Sequence, residues 1–204
     1  MTKNVLCFGD SNTFGYIAES GERYSKDVRW TALLGELLGN GYKIFEGGCN
    51  NRACFVNHQD GEKFIGKEFV KKYSKYGIDL IVSAIGTNDL QKFYNPSLED
   101  LEAGFEEYID VIRTNFNTKI LVVAPSIIKP SVLNCHFNYF FDKESIEKSK
   151  HLADIWKKVA DKKGCYYIDF RNKVNVSEID GLHYDKVSHR VIAEELAKAV
   201  REVL

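Results

Sequence analysis

Residues 4–15 read NVLCFGDSNTFG, an apolar run that ends at Gly9 and passes into a polar segment closed by Gly15. A short apolar run bounded in this way is typical of a buried strand followed by a turn. Outward from it, similar runs alternate with longer segments of helical periodicity, which predicts an α/β fold: a parallel sheet between two helix layers, or α/β/α. The predicted strands are Asn4–Gly9, Tyr42–Gly47, Leu80–Ile85, Ile120–Ala124 and Tyr166–Phe170.

Amphipathic segments between and after these strands are predicted to form the helices. Ser97 and Asp185 are residue types that cap helix N-termini, and each precedes one of the segments. The chain has no linker, repeat or low-complexity stretch, so residues 1–204 are expected to form a single domain. The predicted helices are Trp30–Leu38, Glu62–Tyr76, Leu98–Phe116, Lys143–Lys162 and Lys186–Val203.

Charge and composition exclude several classes of protein. The net charge is −1 and the 28 basic residues are scattered among 29 acidic ones, so no nucleic-acid partner is expected. The first ten residues are expected to form a strand and not a signal peptide, and no apolar run in the sequence is long enough to span a membrane. We therefore expect a cytoplasmic protein. The five cysteines fit no zinc spacing and are expected to be free thiols. The oligomeric state stays open, a homo-oligomer included.

Polar, glycine-rich blocks follow several predicted strands. Ligands of parallel sheets bind beyond the carboxyl ends of the strands, so the residues of these blocks are expected to share one edge of the sheet. The blocks are Gly9–Tyr16, Gly48–Arg52, Gly86–Asp89 and Asp180–His183.

Three residues in these blocks suit nucleophilic catalysis. Ser11 would be the nucleophile, His183 the base that takes its proton, and Asp180 the carboxylate that orients the imidazole. The side-chain amide of Asn88, with main-chain N–H groups near Ser11 and Asn51, would stabilise the oxyanion.

Each of these residues also has a structural interpretation. Ser11 could be a turn serine, His183 a loop histidine and Asn88 an Asx-turn residue. A metal site built from Asp10, Asp180, His183 and Asp185 is set aside, because the spacing suits no common metal.

Taken together, the blocks resemble a known family. Gly9-Asp10-Ser11, Gly86-Thr87-Asn88-Asp89 and Asp180-Gly181-Leu182-His183 are similar to the first, third and fifth blocks of the SGNH, or GDSL-type, hydrolases. The resemblance implies a flavodoxin-like sheet of about five strands, a Ser11–His183–Asp180 triad, oxyanion donors from Ser11 and Asn88, and no metal or organic cofactor. Arg29-Trp30 also resembles a pair found in the arylesterase and acyltransferase branch.

The second block, Gly48–Arg52, departs from the family pattern, in which a glycine donates its main-chain N–H to the oxyanion. A gapless comparison puts Asn51 at that position, and asparagine is the non-glycine residue that best tolerates positive φ. Gly48 is the alternative if the register shifts. Asp10, Trp30 and Arg52 are candidate substrate-binding residues, although Asp10 could be structural and Arg52 could pair with a carboxylate.

The resemblance and the chain length together favour an esterase that acts on small-molecule esters with short acyl groups, such as acetylated carbohydrates or small aryl esters. An acyltransferase or a lysophospholipase with the same triad, and a non-catalytic carbohydrate-binding module on this fold, are the alternatives. The aromatic stretch Phe137–Phe141 could be core or could form the wall of an acyl pocket. His58, His136, His151 and His189 are expected to be surface or hydrogen-bonded residues.

Overall fold

A central sheet organises the molecule. The computed structural model describes residues 2–54 and 72–204. Its five strands are all parallel and lie in the order β2-β1-β3-β4-β5, which is the strand order of flavodoxin-like sheets. The α/β prediction is therefore confirmed. The strands are β1 (Lys3–Gly9), β2 (Tyr42–Gly48), β3 (Leu80–Ala84), β4 (Lys119–Val123) and β5 (Tyr166–Ile168).

Helices and short 3-10 turns connect the strands. In the described residues the α-helices are α1 (Ser11–Phe14), α2 (Trp30–Leu38), α3 (Leu98–Asn115), α4 (Lys143–Lys162) and α5 (Lys186–Val203). The 3-10 turns are Ser74–Tyr76, Thr87–Leu90, Pro130–Asn134 and His136–Tyr139. The predicted helix Glu62–Tyr76 falls largely outside the described residues; of its described part, Lys72 and Tyr73 are α-helical and the last three residues form a 3-10 turn.

The two faces of the sheet bury separate apolar clusters. Along β1, Leu6 and Phe8 point to one face, where they join a cluster with residues of α3 and α4. Val5 and Cys7 point to the other face and join residues of α2 and α5. This alternation with a period of two leaves β1 buried on both sides. Each buried side chain of this size contributes about 2 kcal/mol, so the end of β1 is held firmly in place.

Both predicted N-caps are confirmed. The Ser97 hydroxyl accepts the Asp100 N–H, and the Asp100 carboxylate accepts the Ser97 N–H in return. Asp185 Oδ1 accepts the Ser188 N–H at 2.7 Å. The second cap fixes the start of α5 directly after His183, so the loop that carries this histidine leads straight into a packed helix.

One strand is shorter than predicted. β5 was expected to reach Phe170 but ends at Ile168. The Asp169 carboxylate accepts the Arg171 N–H at 2.8 Å, and this turn takes the chain out of the sheet. The bounds of the other predicted strands differ from the observed ones by a single residue at most at each end.

In the described part of the chain, no helix is both long and apolar enough to pass through a bilayer. Nor do three or more His, Cys, Asp or Glu side chains of this part come together in a way that could hold a metal ion. All five cysteines are free thiols, as predicted, and Cys7 and Cys54 are buried.

Candidate active site

The turn after β1 presents Ser11 at the carboxyl edge of the sheet. Asp10 caps α1 by accepting the Asn12 N–H at 2.9 Å, and Gly15 ends this short helix with φ of 88°. A Cβ on Gly9 would lie 2.1 Å from Thr13 Oγ1, so only glycine permits so tight a connection from strand to helix. Ser11 is therefore fixed as the first residue of α1.

The structure brings the three predicted triad residues together. The Ser11 Oγ lies 2.9 Å from His183 Nε2, and His183 Nδ1 lies 2.6 Å from Asp180 Oδ2. Since a carboxylate accepts the proton on Nδ1, neutral His183 has a free lone pair on Nε2 that faces Ser11. The arrangement can move a proton from the serine hydroxyl to the imidazole.

Asp180 is held by its own loop. Its Oδ1 accepts the main-chain N–H groups of Leu182 at 2.9 Å and His183 at 3.0 Å, and the residue is only 1% exposed. Burial raises the pKa of Asp180, but the hydrogen bond and charge of His183 and the two N–H groups outweigh it, and the net pKa is lowered. The carboxylate is therefore ionised at neutral pH.

Asn12 connects the two halves of the site. Its Nδ2 donates to the Leu182 carbonyl and its Oδ1 accepts the Tyr184 N–H, both at 3.0 Å. These bonds attach the helix that begins with Ser11 to the loop that carries His183. The distance between the two reacting side chains is thus set by main-chain contacts on both sides.

Potential oxyanion donors surround Ser11. Asn88 and Asn51 line the same cavity as Ser11 and His183. Asn88 Nδ2 donates one hydrogen to the Arg52 carbonyl at 3.0 Å, which leaves the other for the cavity. The main-chain N–H groups of Ser11 and Asn51 donate no hydrogen bond to any other described residue. Three residues that line the cavity thus each keep an N–H hydrogen that no described acceptor binds.

The second block adopts the conformation that its sequence predicts. Asn51 has φ of 60°, in the left-handed region. Gly48, the alternative donor, is the last residue of β2 and packs against α1, where a Cβ would lie 2.2 Å from the Phe14 nitrogen. Because Gly48 does not line the cavity, Asn51 is the residue whose position fits the donor role.

The three candidate substrate-binding residues do not line this cavity. Arg52 is buried beneath it: its Nη1 donates to the carbonyls of Gly9, at 2.8 Å, and Gly47, and its guanidinium lies 4.1 Å from the centroid of the Phe8 ring. Arg52 therefore joins the ends of β1 and β2 through main-chain carbonyls and forms no ion pair with a described carboxylate, and its Nε is buried without a hydrogen-bond partner among the described residues.

Asp10 and Trp30 border a separate cavity of about 30 Å³ behind Ser11. Trp30 Nε1 donates to the Asn12 carbonyl at 3.1 Å, so the indole supports the residue after the nucleophile. Burial raises the pKa of Asp10 to about 6. Both residues have structural contacts, and neither is among the described residues that line the cavity next to Ser11.

The cavity next to Ser11 has a volume of about 230 Å³ and one apolar side. The Tyr16 and Phe137 rings lie 4.2 and 5.3 Å from the His183 ring, centroid to centroid. Phe140 and Phe141 complete this side. Both interpretations of Phe137–Phe141 hold in part: its three phenylalanines line the cavity, and they also belong to or pack against the core cluster that contains Phe141, whereas Tyr139 is 65% exposed.

Some residues of the site escaped sequence analysis. Gln91 lines the cavity and contacts both Asn51 and Asn88. Its position three residues after Asn88, at the end of a polar block, is the one signal in the sequence that could have indicated it. Tyr16 and the connecting role of Asn12 lie within the first block but become evident only from long-range contacts.

The remaining histidines differ from one another. His136 and His151 are exposed, as predicted, and His58 lies outside the described residues. His189 is fully buried, and its Nδ1 accepts the Trp30 N–H at 3.3 Å. Its Nε2 has no hydrogen-bond partner among residues 2–54 and 72–204, so the expectation of a fully hydrogen-bonded histidine is wrong at this atom. Desolvation accordingly lowers the pKa of His189 to about 4.

Comparisons with known proteins agree with this geometry. The model of the GDSL-like lipase/acylhydrolase family matches residues 7–191. A carbohydrate acetylesterase from Sinorhizobium meliloti is 25% identical with a TM-score of 0.89, and the alignment covers 100% of both chains. A putative arylesterase from Agrobacterium tumefaciens is 26% identical with a TM-score of 0.84, also over 100% of both chains. The aryl esterase of M. smegmatis, 24% identical with a TM-score of 0.89 over 100% of both chains, shares the fold. No curated protein matches the sequence significantly.

Proposed function

The chain belongs to the GDSL-like lipase/acylhydrolase family of ester-hydrolysing serine hydrolases, and from this we propose that Ser11, His183 and Asp180 hydrolyse short-acyl carboxylic esters. The observation that carries the proposal is the continuous hydrogen-bonded series from the Ser11 hydroxyl through His183 to Asp180, with distances of 2.9 and 2.6 Å. This series is what activation of a serine nucleophile requires.

The first half of the reaction forms an acyl-enzyme. Ser11 Oγ attacks the ester carbonyl carbon while His183 Nε2 takes the hydroxyl proton, and Asp180 stabilises the imidazolium. The carbonyl oxygen becomes an oxyanion that accepts hydrogen bonds from the N–H groups of Ser11 and Asn51 and from Asn88 Nδ2. When this intermediate collapses, the bond to the alcohol oxygen breaks and His183 returns the proton to the leaving alcohol.

The second half releases the acid. Water attacks the acyl carbon as His183 takes one of its protons, and the oxyanion is stabilised by the same donors. Collapse breaks the bond to Ser11 Oγ, which recovers its proton from His183. The balance is one ester and one water consumed, and one carboxylic acid and one alcohol produced. An acyltransferase would differ only in that an acceptor alcohol replaces this water.

The size of the cavity supports short acyl groups. At about 230 Å³ it is smaller than the roughly 300–1,000 Å³ that is usual for drug-sized ligands. Phe137, Phe140 and Phe141 give this small cavity an apolar side that suits a short acyl group. The 25% identical carbohydrate acetylesterase supports acetyl esters of carbohydrates as the substrate class.

Two measurements test the proposal. A fluorophosphonate probe should label the wild type and the control Ser20→Ala, which changes an exposed serine, but should not label Ser11→Ala. On a series of nitrophenyl esters from acetate to decanoate, kcat/KM should be highest for the shortest acyl groups. If the wild type is not labelled, the protein is a binding module and not an enzyme. A maximum at the longest chains would refute the short-acyl proposal and favour a lysophospholipase.

A further inference from the structure

Gln91 lies between two of the proposed oxyanion donors. It follows the 3-10 turn Thr87–Leu90, is 4% exposed and lines the same cavity as Ser11. Its Nε2 donates to Asn88 Oδ1 at 3.0 Å and also to Asn51 Oδ1. A single side-chain amide thus links residues that come from the ends of different strands.

The orientation of the Asn88 amide follows from its two contacts. The Arg52 carbonyl can only accept, so Asn88 must turn its Nδ2 toward it and its Oδ1 toward Gln91. A flipped Asn88 would place its oxygen against the Arg52 carbonyl and present an acceptor to the oxyanion. The N–H of Gln91 therefore stabilises the orientation in which Asn88 donates into the cavity.

The hydrogen bond from Gln91 to the Asn51 side chain stabilises the main-chain conformation of Asn51. Asn51 is one of two non-glycine residues with positive φ in the described part of the chain, and this conformation aims its N–H. In this left-handed region a non-glycine residue is less favourable than glycine, because its Cβ crowds the following carbonyl oxygen. Anchoring the Asn51 side chain to Gln91 holds the residue in this conformation, which a glycine would adopt unaided.

We propose that Gln91 is a positioning residue that orients two of the three oxyanion donors through Asn88 and Asn51. The inference rests on the proposed esterase function. In this proposal Gln91 does not contact the reacting atoms, and it acts only through Asn88 and Asn51. It also explains how this chain tolerates asparagine where the family pattern has glycine, because the second-block residue is anchored by its side chain.

The main variant is Gln91→Met, which keeps the length of the side chain and removes both donated hydrogen bonds. Complete loss of one oxyanion donor lowers kcat by about 10²–10³-fold, so partial misorientation of two should lower it by roughly 10–100-fold. KM for nitrophenyl acetate should change by less than about threefold, because the donors act mainly on the transition state. Gln91→Ala provides a second variant if Gln91→Met does not fold.

Measuring Gln91→Met in two other variants distinguishes a positioning role from a general structural role. Adding Gln91→Met to the double variant Asn51→Gly/Asn88→Ala should lower kcat by less than about twofold, since both side chains through which Gln91 acts are gone. Asn51→Gly should restore part of the kcat lost in Gln91→Met, because glycine needs no anchor at this φ. Tyr167→Phe is the control: it removes the hydrogen bond that the hydroxyl of Tyr167, on β5, donates to the Ala153 carbonyl of α4, and it should leave kcat unchanged.

The outcomes are distinguishable. If wild-type esterase activity is present and folded Gln91→Met keeps kcat within twofold of it, the inference about Gln91 is overturned and the proposed function stands. An equal loss in the wild-type and Asn51→Gly/Asn88→Ala backgrounds also overturns it, because the effect would then not pass through these donors. A wild type that hydrolyses no ester and is not labelled overturns both proposals.

Discussion

Replacement of Asp180 by asparagine is expected to remove nearly all esterase activity and leave the protein folded. In the native loop, Oδ1 of Asp180 accepts two main-chain N–H groups and Oδ2 accepts the His183 Nδ1 proton. In Asp180→Asn only the amide oxygen can accept the main-chain N–H groups, so the NH₂ group faces His183. Nδ1 must then act as acceptor, which moves the proton to Nε2 and removes the lone pair that serves Ser11.

A base held in the wrong tautomer costs about 10⁴-fold in kcat. At 1.36 kcal/mol for each factor of ten, this corresponds to about 5 kcal/mol of activation free energy. Folding should be affected far less, because asparagine retains the two main-chain hydrogen bonds of the loop. The midpoint of thermal unfolding should therefore stay close to that of the wild type.

The assay is steady-state hydrolysis of nitrophenyl acetate at neutral pH, with circular dichroism to verify folding. Asp185→Asn is the matched control, since it makes the same exchange five residues later at an exposed helix cap, a position where asparagine is equally accepted. The control should keep wild-type kcat. Retention of more than a tenth of wild-type kcat by folded Asp180→Asn would show that Asp180 does not set the tautomer of His183, and the triad proposal would be wrong.

Two further outcomes are expected. Asn88→Ala should lower kcat for nitrophenyl acetate by about 10²–10³-fold with little change in KM, and a mainly KM effect would place Asn88 in substrate binding instead. His189 should make the protein less stable in acid: the unfolded chain binds its proton near pH 6.5 and the folded chain only near pH 4. The unfolding free energy should thus fall by about 2 kcal/mol between pH 7 and pH 5 through this residue alone. Urea titrations at both pH values should show a smaller fall in His189→Gln, and equal falls would contradict the assignment.

Local patterns were sufficient for most of the fold. A run of consecutive apolar residues predicts a strand such as β1, and apolar residues at helical spacing predict a helix such as α4. Both elements could therefore be located from the sequence. β5 was overextended because the turn at Asp169 depends on a side-chain hydrogen bond that periodicity does not reveal. The strand order itself came from the family resemblance.

Some residues of the candidate site could be predicted from the sequence and others could not. Ser11, Asn88 and His183 stand directly after strands or before a helix, so the general rule about the carboxyl edge of parallel sheets predicted that they would meet. Arg52 and Trp30 lie equally close to strand ends or blocks, but their side chains turn into the protein and bond to main-chain carbonyls. Which way a side chain turns depends on neighbours that are distant in sequence, as for Gln91.

The bonds made by Asn12 have a consequence for the order of folding events. They join residues that are 170 and 172 positions apart, so they close one of the largest loops that the chain can form. Such closures carry a high entropic cost and tend to follow the formation of local structure. Esterase activity should therefore return late during refolding, after the circular dichroism signal of the helices has recovered. Its return indicates that Asn12 has reached the loop that carries His183.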